Sequence, residues 1–135
     1  MDILLDTHVL VWLLTGDQKL PAKVTELTES RANTIFFSSI SMWEIAIKRI
    51  VHPDKITGIP VEKLMIMCED ARLNELCLKT QHTYFLETLK LPDDAPLHKD
   101  PFDRILISQA KSEHMTFITH DDRLNAYNEP CILYV

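Results

Sequence analysis

The stretch that decides the fold runs from residue 2 to residue 14 and reads DILLDTHVLVWLL. Its short apolar run predicts a strand over residues 2–5, and the residues that follow predict a helix over 8–14 that ends near Gly16. Asp6 lies between the two elements. Open α/β sheets begin in this way, and they bind their ligands at the carboxyl ends of the strands.

The rest of the chain continues the alternation of strand and helix. Alternating elements imply a parallel sheet with helices on both faces. We therefore expect an α/β fold, a three-layer α/β/α sandwich around a central, mostly parallel sheet, in one domain over residues 1–135. The further predicted strands are 34–37, 74–78, 116–119 and 131–134, and the further helices are 21–31, 40–50, 61–71, 81–88, 101–113 and 122–126, with a Pro/Asp loop at 91–100.

Composition favours a globular cytoplasmic protein. Hydrophobic residues make up 46% of the chain, and no apolar run approaches the roughly 20 residues of a membrane-spanning helix. The N-terminus has no basic region and carries two acids, so it does not read as a signal peptide. Three cysteines in unlike contexts predict reduced, mostly buried thiols and no zinc site.

Glycine content and charge limit the possible functions. The chain has two glycines, so no Gly-rich phosphate loop or dinucleotide fingerprint is possible. The net charge of −6 argues mildly against nucleic-acid binding, which usually leaves a basic footprint. Bound divalent cations would cancel several negative charges, so net charge does not decide this question.

Four isolated carboxylates carry the functional signal. They are Asp6, Glu44, Asp103 and Asp121, and three of them fall at strand ends or helix beginnings. Acids gathered at one edge of a sheet repel one another unless a cation joins them, and Mg²⁺ takes oxygen ligands of this kind.

Each acid also has a structural interpretation. Asp6, Asp103 and Asp121 can cap helices or turns. Glu44 can form a surface pair with Lys48 one turn later. However, its neighbours are apolar, and a buried carboxylate costs several kcal/mol unless it is paired or bound to metal. Ser41, Glu44 and Lys48 share one helix face.

Histidines and tryptophans give weaker signals. His8, His98 and His120 lie near the acids, but their spacing matches no zinc pattern, and we interpret them as packing, phosphate-contacting or surface residues. Trp12 and Trp43 have apolar neighbours and are predicted to lie in the core.

Four segments together resemble a known family. They are LLDTHVLVW (4–12), SMWEIAIK (41–48), HKDPFDR (98–104) and THD (119–121). In this order they resemble a PIN-domain protein, and among these the VapC-type ribonuclease toxins of bacterial type II toxin–antitoxin systems. The resemblance covers nearly the whole chain.

The resemblance implies a PIN-like nuclease domain that cleaves RNA with Mg²⁺ or Mn²⁺. It also implies a cognate antitoxin, which we expect to dock on the first helices near Val9 and Leu13, and frequent homodimers. Carried over by motif, the residues for catalysis and for metal binding are Asp6, Glu44, Asp103 and Asp121. Asp122 is adjacent to the fourth acid, and Asp100 could act through water; candidate RNA phosphate contacts are Lys48, His98, Lys99 and Arg104.

Two alternatives belong to other classes. The first is a non-catalytic PIN-fold module that binds RNA or protein, although four mutually repelling acids argue against it. The second is a phosphotransfer protein. An aspartate-based phosphatase needs a second Asp where His8 stands, and a receiver domain needs an acid pair where Thr7 follows Asp6. The sequence leaves transfer, ribosomal and messenger RNA as possible substrates.

Overall fold

Five strands form the centre of the protein in a computed structural model that describes residues 1–95 and 100–135. The strand order is β3-β2-β1-β4-β5, and every pairing within these described residues is parallel, which confirms the expected fold class. The strands are β1 (Asp2–Leu5), β2 (Thr34–Ser38), β3 (Asn74–Leu76), β4 (Thr116–Thr119) and β5 (Ile132–Tyr134).

The helices connect the strands on both faces of the sheet. From β1 the chain proceeds to β2 and β3 on one side, and then returns to place β4 on the other side of β1. The carboxyl ends of β1 and β4 therefore meet where the strand order reverses, which is the usual ligand position in an open α/β sheet. The α-helices are α1 (Thr7–Thr15), α2 (Ala22–Glu29), α3 (Ser39–Val51), α4 (Val61–Asp70) and α5 (Pro101–Ser112).

Local capping explains where the site-bearing helices begin and end. Gly16 ends α1 in the left-handed conformation, with φ +65°, which glycine adopts without strain. Ser38 begins α3, because its side chain accepts a hydrogen bond from the backbone N–H of Ile40 at 3.0 Å. Asp100 caps α5, and Pro101 follows at the first helical position.

The hydrophobic core forms two layers, one on each face of the sheet. Ile3 and Leu5 belong to one buried cluster with α1 and α4, whereas Leu4 belongs to the other with α5. This division follows from the pleat, since successive side chains of a strand point to opposite faces. The α/β/α arrangement is thus built into the apolar run of β1.

The segment predicted as a helix over residues 81–88 is different in the structure. It forms two short 3₁₀ helices, Thr80–Thr83 and Leu86–Thr88. The reason is tertiary: the carbonyl oxygen of His82 accepts a hydrogen bond from the Ser108 hydroxyl of α5. The short helix after β4, Asp122–Tyr127, is also 3₁₀.

Several expectations about burial were wrong. Trp43 is 56% exposed, because the inward face of α3 is taken by Ser41, Glu44 and Ile45. Val9 is fully buried and cannot dock a partner. Of the three free cysteines, only Cys68 is buried; Cys131 is partly covered and Cys77 is exposed.

Within residues 1–95 and 100–135, no helix combines the length and the apolar character needed to cross a bilayer.

Candidate active site

The first strand brings Asp6 to the carboxyl edge of the sheet. Its Oδ1 accepts a hydrogen bond from the backbone N–H of Thr7 at 2.7 Å, as the N-cap of α1, and its Oδ2 accepts from the Thr119 hydroxyl of β4 at 2.6 Å. Burial raises the pKa of Asp6 to about 6, and the charges of Glu44 and Asp121 add to the rise, although the two hydrogen bonds oppose it. Asp6 therefore caps a helix and also belongs to a cluster of acids.

Glu44 lies beneath this edge, 2% exposed, with both carboxylate oxygens occupied. Oε1 accepts from the Thr7 hydroxyl at 2.8 Å, and Oε2 accepts from Lys48 Nζ at 2.6 Å. The Thr7 hydroxyl is also 2.9 Å from the Ser41 hydroxyl, and since its one proton goes to Glu44, Ser41 donates to Thr7. Glu44 is thus both buried and paired with Lys48.

Lys48 joins this buried network to the surface. Burial alone would lower the pKa of Lys48, but the hydrogen bond to Glu44 and the charges of Glu44, Asp100 and Asp103 outweigh it and raise the pKa. The ammonium group uses one of its three donors on Glu44, so it has donors left for another anion.

Asp103 lies in the first turn of α5 and is 9% exposed. Burial raises its pKa to about 8, with further contributions from the charges of Asp6, Asp100, Glu44 and Asp121. Asp103 and these four acids are therefore close enough for their charges to interact. A carboxyl group with this pKa holds its proton at neutral pH until a positive charge arrives.

Asp121 follows β4 and begins the 3₁₀ helix. Its carboxylate accepts from both Nε and Nη2 of Arg123, at distances from 2.5 to 3.1 Å. Its backbone N–H donates to the Thr119 hydroxyl at 3.0 Å. Because the same hydroxyl donates to Asp6, Thr119 connects the acids that follow β1 and β4.

These elements enclose an open cleft of about 480 Å³. That volume falls in the range of about 300–1,000 Å³ typical of ligand-binding sites. The cleft combines acids, cations and aromatic rings. The residues that line it are Asp6, His8, Trp12, Lys48, Lys55, Asp100, Asp103, His120, Asp121, Asp122 and Arg123.

Comparison with known families identifies the fold. Residues 3–130 match the sequence profile of the PIN domain. The chain belongs to the PIN domain family. PIN domains are generally nucleases, and the acid-lined cleft of this chain lies at the carboxyl ends of β1 and β4. Comparison with curated protein sequences gives no match.

Two solved structures are similar to this PIN domain over nearly their whole length. One is a chain of the VapBC2 structure from Rickettsia felis bound to a promoter DNA fragment, with 19% identity, a TM-score of 0.68, and 100% of this chain and 98% of that chain covered. The other belongs to the VapBC-1 structure from nontypeable Haemophilus influenzae, with 19% identity, a TM-score of 0.65, and 95% and 92% covered. At this identity the similarity shows the fold.

The PIN domain brings most of the predicted site residues together, although in two layers. Asp6, Asp103 and Asp121 line the cleft, whereas Glu44 is buried below it and is not part of the lining. Lys48 also lines the cleft. His98 and Lys99 lie outside the described residues.

Arg104 has a packing role in this PIN domain. Its guanidinium donates to the carbonyl oxygens of Leu86 and Leu89 and to the Tyr127 hydroxyl, and it lies 5.6 Å from the centre of the Tyr127 ring. Arg104 is not part of the cleft lining, so the structure gives no support to its predicted phosphate contact.

Sequence reasoning missed two cations of the cleft, Lys55 and Arg123. Lys55 lies outside every quoted motif, in the loop after α3, and the fold brings its side chain to the cleft. Arg123 had a usable signal, because a basic residue two positions after an N-capping acid can fold back onto it. Trp12, which the sequence predicts to lie in the core, is half-buried and lines the cleft.

The donor set of this PIN domain fits a hard divalent cation. The acids supply carboxylate oxygens. Burial is the main cause of the raised pKa values of Asp6 and Asp103, and the charges of neighbouring acids add to it; a bound cation would offset that repulsion. Across residues 1–95 and 100–135, no group of three His, Cys, Asp or Glu side chains forms a ready-made metal site. Mg²⁺ commonly binds through one or two carboxylates and keeps several waters, so the cleft still fits it.

Proposed function

We propose that this chain is a metal-dependent endoribonuclease that hydrolyses RNA phosphodiester bonds within one PIN-like domain over residues 1–135. The observation that carries the proposal is the convergence of Asp6, Asp103 and Asp121 on one open cleft above the buried Glu44. Buried acids that raise one another's pKa lower the stability of the metal-free protein. Such unfavourable clusters of titratable groups are typical of functional sites, so a catalytic role explains why this one is present.

Asp6, Asp103 and Asp121 are the residues that would hold Mg²⁺ or Mn²⁺, with Glu44 close behind them. The chemistry that such an ion supplies when bound is Lewis-acid polarisation of the phosphate and activation of a water molecule. Carboxylates of the cluster that do not hold the ion can accept the proton of the attacking water. Glu44 fixes Thr7 and Lys48, and therefore positions the cleft wall.

Cations at the cleft would bind the RNA backbone. Lys48, Lys55 and Arg123 line the same cleft as the acids, and a cation that faces a phosphate stabilises its bound state. The same lining also carries five acids, Asp6, Asp100, Asp103, Asp121 and Asp122, so the three cations do not outweigh its negative charge by themselves. Bound divalent cations would supply the further positive charge that RNA binding needs.

The cellular role that we propose is the toxin of a type II toxin–antitoxin pair that acts in the cytoplasm. Its support is membership of the PIN family and the similarity in fold to chains of two VapBC structures. A cognate antitoxin would cover the cleft, with a basic side chain among the acids. We also propose a homodimer, since Trp43, Ile50 and Val51 expose apolar surface on α3.

Single-turnover cleavage of a structured RNA pool tests the enzymatic proposal. We expect cleavage with Mg²⁺ or Mn²⁺, products with 5′-phosphate and 3′-hydroxyl ends, and a loss of about 100-fold or more in Asp103→Asn. Asp70→Asn, an exposed residue at the end of α4, is the matched control and should retain full activity. Cleavage that persists in EDTA, or 2′,3′-cyclic phosphate products, would contradict the mechanism. RNA binding without cleavage would favour a non-catalytic module.

Growth assays test the toxin proposal. Expression of the chain alone should arrest growth, and co-expression with the product of the neighbouring gene should restore growth and yield a complex that co-purifies. The Asp103→Asn variant should be harmless at the same expression level. Normal growth with a confirmed, active nuclease would leave the enzyme assignment standing and remove the toxin role.

A further inference from the structure

One side of the cleft is built from aromatic rings that the proposed hydrolysis does not use. His8, Trp12 and His120 all line the cleft, and we call them the aromatic wall. The ring centres of His8 and Trp12 are 6.0 Å apart, and those of Trp12 and His120 are 5.6 Å apart. Three adjacent rings beside a cluster of acids do not help to hold a divalent cation, so they need another explanation.

The aromatic wall is fixed in place by the end of the chain. Tyr134 stacks on the His120 ring, with 5.7 Å between centres and 12° between planes. His120 Nδ1 is also hydrogen-bonded to the backbone oxygen of Val135. Trp12 meets His120 at 70°, in an edge-to-face arrangement. A wall held on several sides loses little freedom when it binds a flat ligand, and such preorganisation favours affinity.

The composition of the cleft points to the ligand. Its acids, through a bound metal ion, and its cations can accommodate a phosphate. In RNA each phosphodiester is flanked by riboses, and each ribose carries a base. The flat face of a base next to that phosphate stacks favourably on an aromatic surface, and single-stranded RNA is commonly recognised by stacking of this kind. The volume of about 480 Å³ leaves room for more than the reacting group.

We propose that the aromatic wall binds an unpaired nucleobase adjacent to the scissile phosphate, with Trp12 as its principal stacking residue. This inference rests on the proposed ribonuclease function. It also narrows the range of possible RNA substrates, because a base that is paired within a double helix cannot stack on the aromatic wall. The substrate class is therefore RNA with an unstacked nucleotide at the cleavage site, as in a loop or bulge.

Intrinsic fluorescence gives a direct test, because the chain has two tryptophans. In Trp43→Phe, Trp12 is the sole tryptophan and reports on the aromatic wall. In Trp12→Phe, the exposed Trp43 is the sole reporter and serves as the matched control. Each variant is titrated, with Ca²⁺ in place of Mg²⁺, with ten-nucleotide oligouridylate, oligoadenylate and an abasic ribose-phosphate oligomer of the same length and charge.

We expect the base-bearing oligomers to quench Trp12 and the abasic oligomer to leave it unchanged. Trp12→Leu should bind oligouridylate about five- to 100-fold more weakly, whereas Trp12→Phe, which keeps a ring, should lose less. Thermal unfolding confirms that each variant is folded. Equal quenching by the abasic oligomer, or quenching of Trp43 alone, would overturn the inference.

Wild-type cleavage assayed in parallel separates the two proposals. If cleavage depends on metal but Trp12 fluorescence does not respond to RNA, the proposed base-binding role of the aromatic wall is wrong and the nuclease proposal still stands. Absence of both binding and cleavage in the wild-type protein overturns both. Trp12→Leu should also raise KM more than it lowers kcat, because the wall holds the base and not the reacting atoms.

Discussion

Substitution of Glu44 is the sharpest way to distinguish a catalytic role of this residue from a purely structural one. Its two oxygens already accept hydrogen bonds from Thr7 and Lys48. Glu44→Gln keeps the shape and the helix propensity, but it presents an amide to Lys48 and removes one negative charge below the cleft. We expect single-turnover cleavage to fall about 100-fold while the protein stays folded.

The control for Glu44 is Glu75→Gln, since Glu75 is an exposed acid of β3. It should retain full activity in the same assay. RNA affinity in Ca²⁺ should stay equal or rise in Glu44→Gln, because a charge of the same sign as phosphate is gone. Full activity of Glu44→Gln would assign Glu44 a purely structural role and leave catalysis to Asp6, Asp103 and Asp121.

Arg123 competes with a metal ion for the same carboxylate. It forms a two-pronged ion pair with Asp121, and its own side chain is 65% exposed. Exposed ion pairs contribute about 0–1 kcal/mol, so the expected gain on removal is modest. Arg123→Met should bind Mn²⁺ up to about fivefold more tightly, as measured by calorimetry, whereas Arg31→Met, far from the cleft, should match wild type. Weaker Mn²⁺ binding in Arg123→Met would show that Arg123 supports the site instead.

At the scale of elements, the 3₁₀ segment after β3 is held by a buried hydrogen-bond network. His82, fully buried, accepts from the Lys79 backbone N–H at its Nδ1, so its Nε2 donates to Glu113 at 2.8 Å. Gln109 completes the network and accepts from Ser38 at 2.5 Å. Polar groups inside a protein need their partners, because each unsatisfied group costs about 1–3 kcal/mol.

His82→Leu should therefore destabilise the protein by about 2–3 kcal/mol, as measured by urea unfolding. The substitution removes the imidazole that contacts the Lys79 backbone N–H, the Glu113 carboxylate and the Gln109 amide. His52→Leu, at an exposed position after α3, should change stability by less than about 0.5 kcal/mol. Equal stability of the two variants would mean that the network does not hold this segment.

At the scale of the whole molecule, the acid cluster sets how stability depends on pH. The pKa values of Asp6 and Asp103 are raised to about 6 and about 8 in the folded protein, above the value of about 4 expected in the unfolded chain. The folded state therefore holds these protons more tightly, and the stability they contribute is lost as pH rises from about 4 to about 8.

In EDTA, we expect the unfolding temperature to fall between pH 5 and pH 8.5. Asp103→Asn removes the main titrating group, so it should flatten this slope and raise the unfolding temperature at pH 8 by about 3 °C or more. Mg²⁺ should also flatten the slope in the wild-type protein, because it binds only the folded site. A wild-type profile that is flat in EDTA, or identical profiles for Asp103→Asn and Asp70→Asn, would contradict this account.

The sequence by itself determined the architecture and the family, and it singled out the acids that we propose as site residues. Local patterns are sufficient for this: the apolar run of β1 distributes its side chains between two core layers, and capping residues such as Ser38 and Asp100 begin their helices. The order of the motifs also identified the PIN family, which the match over residues 3–130 confirms.

Only the tertiary structure decided how deeply each side chain is buried and which groups it contacts. The apolar neighbours of Glu44 correctly indicated that it is buried, but the same neighbours suggested a buried Trp43, which is exposed. Burial depends on which helix face meets the sheet, and the apolar stretch alone did not reveal that face. The segment predicted as a helix at 81–88 became 3₁₀ because α5 supplies long-range hydrogen bonds. Lys55 and the aromatic wall likewise reach the cleft through contacts between residues distant in sequence, which no local pattern encodes.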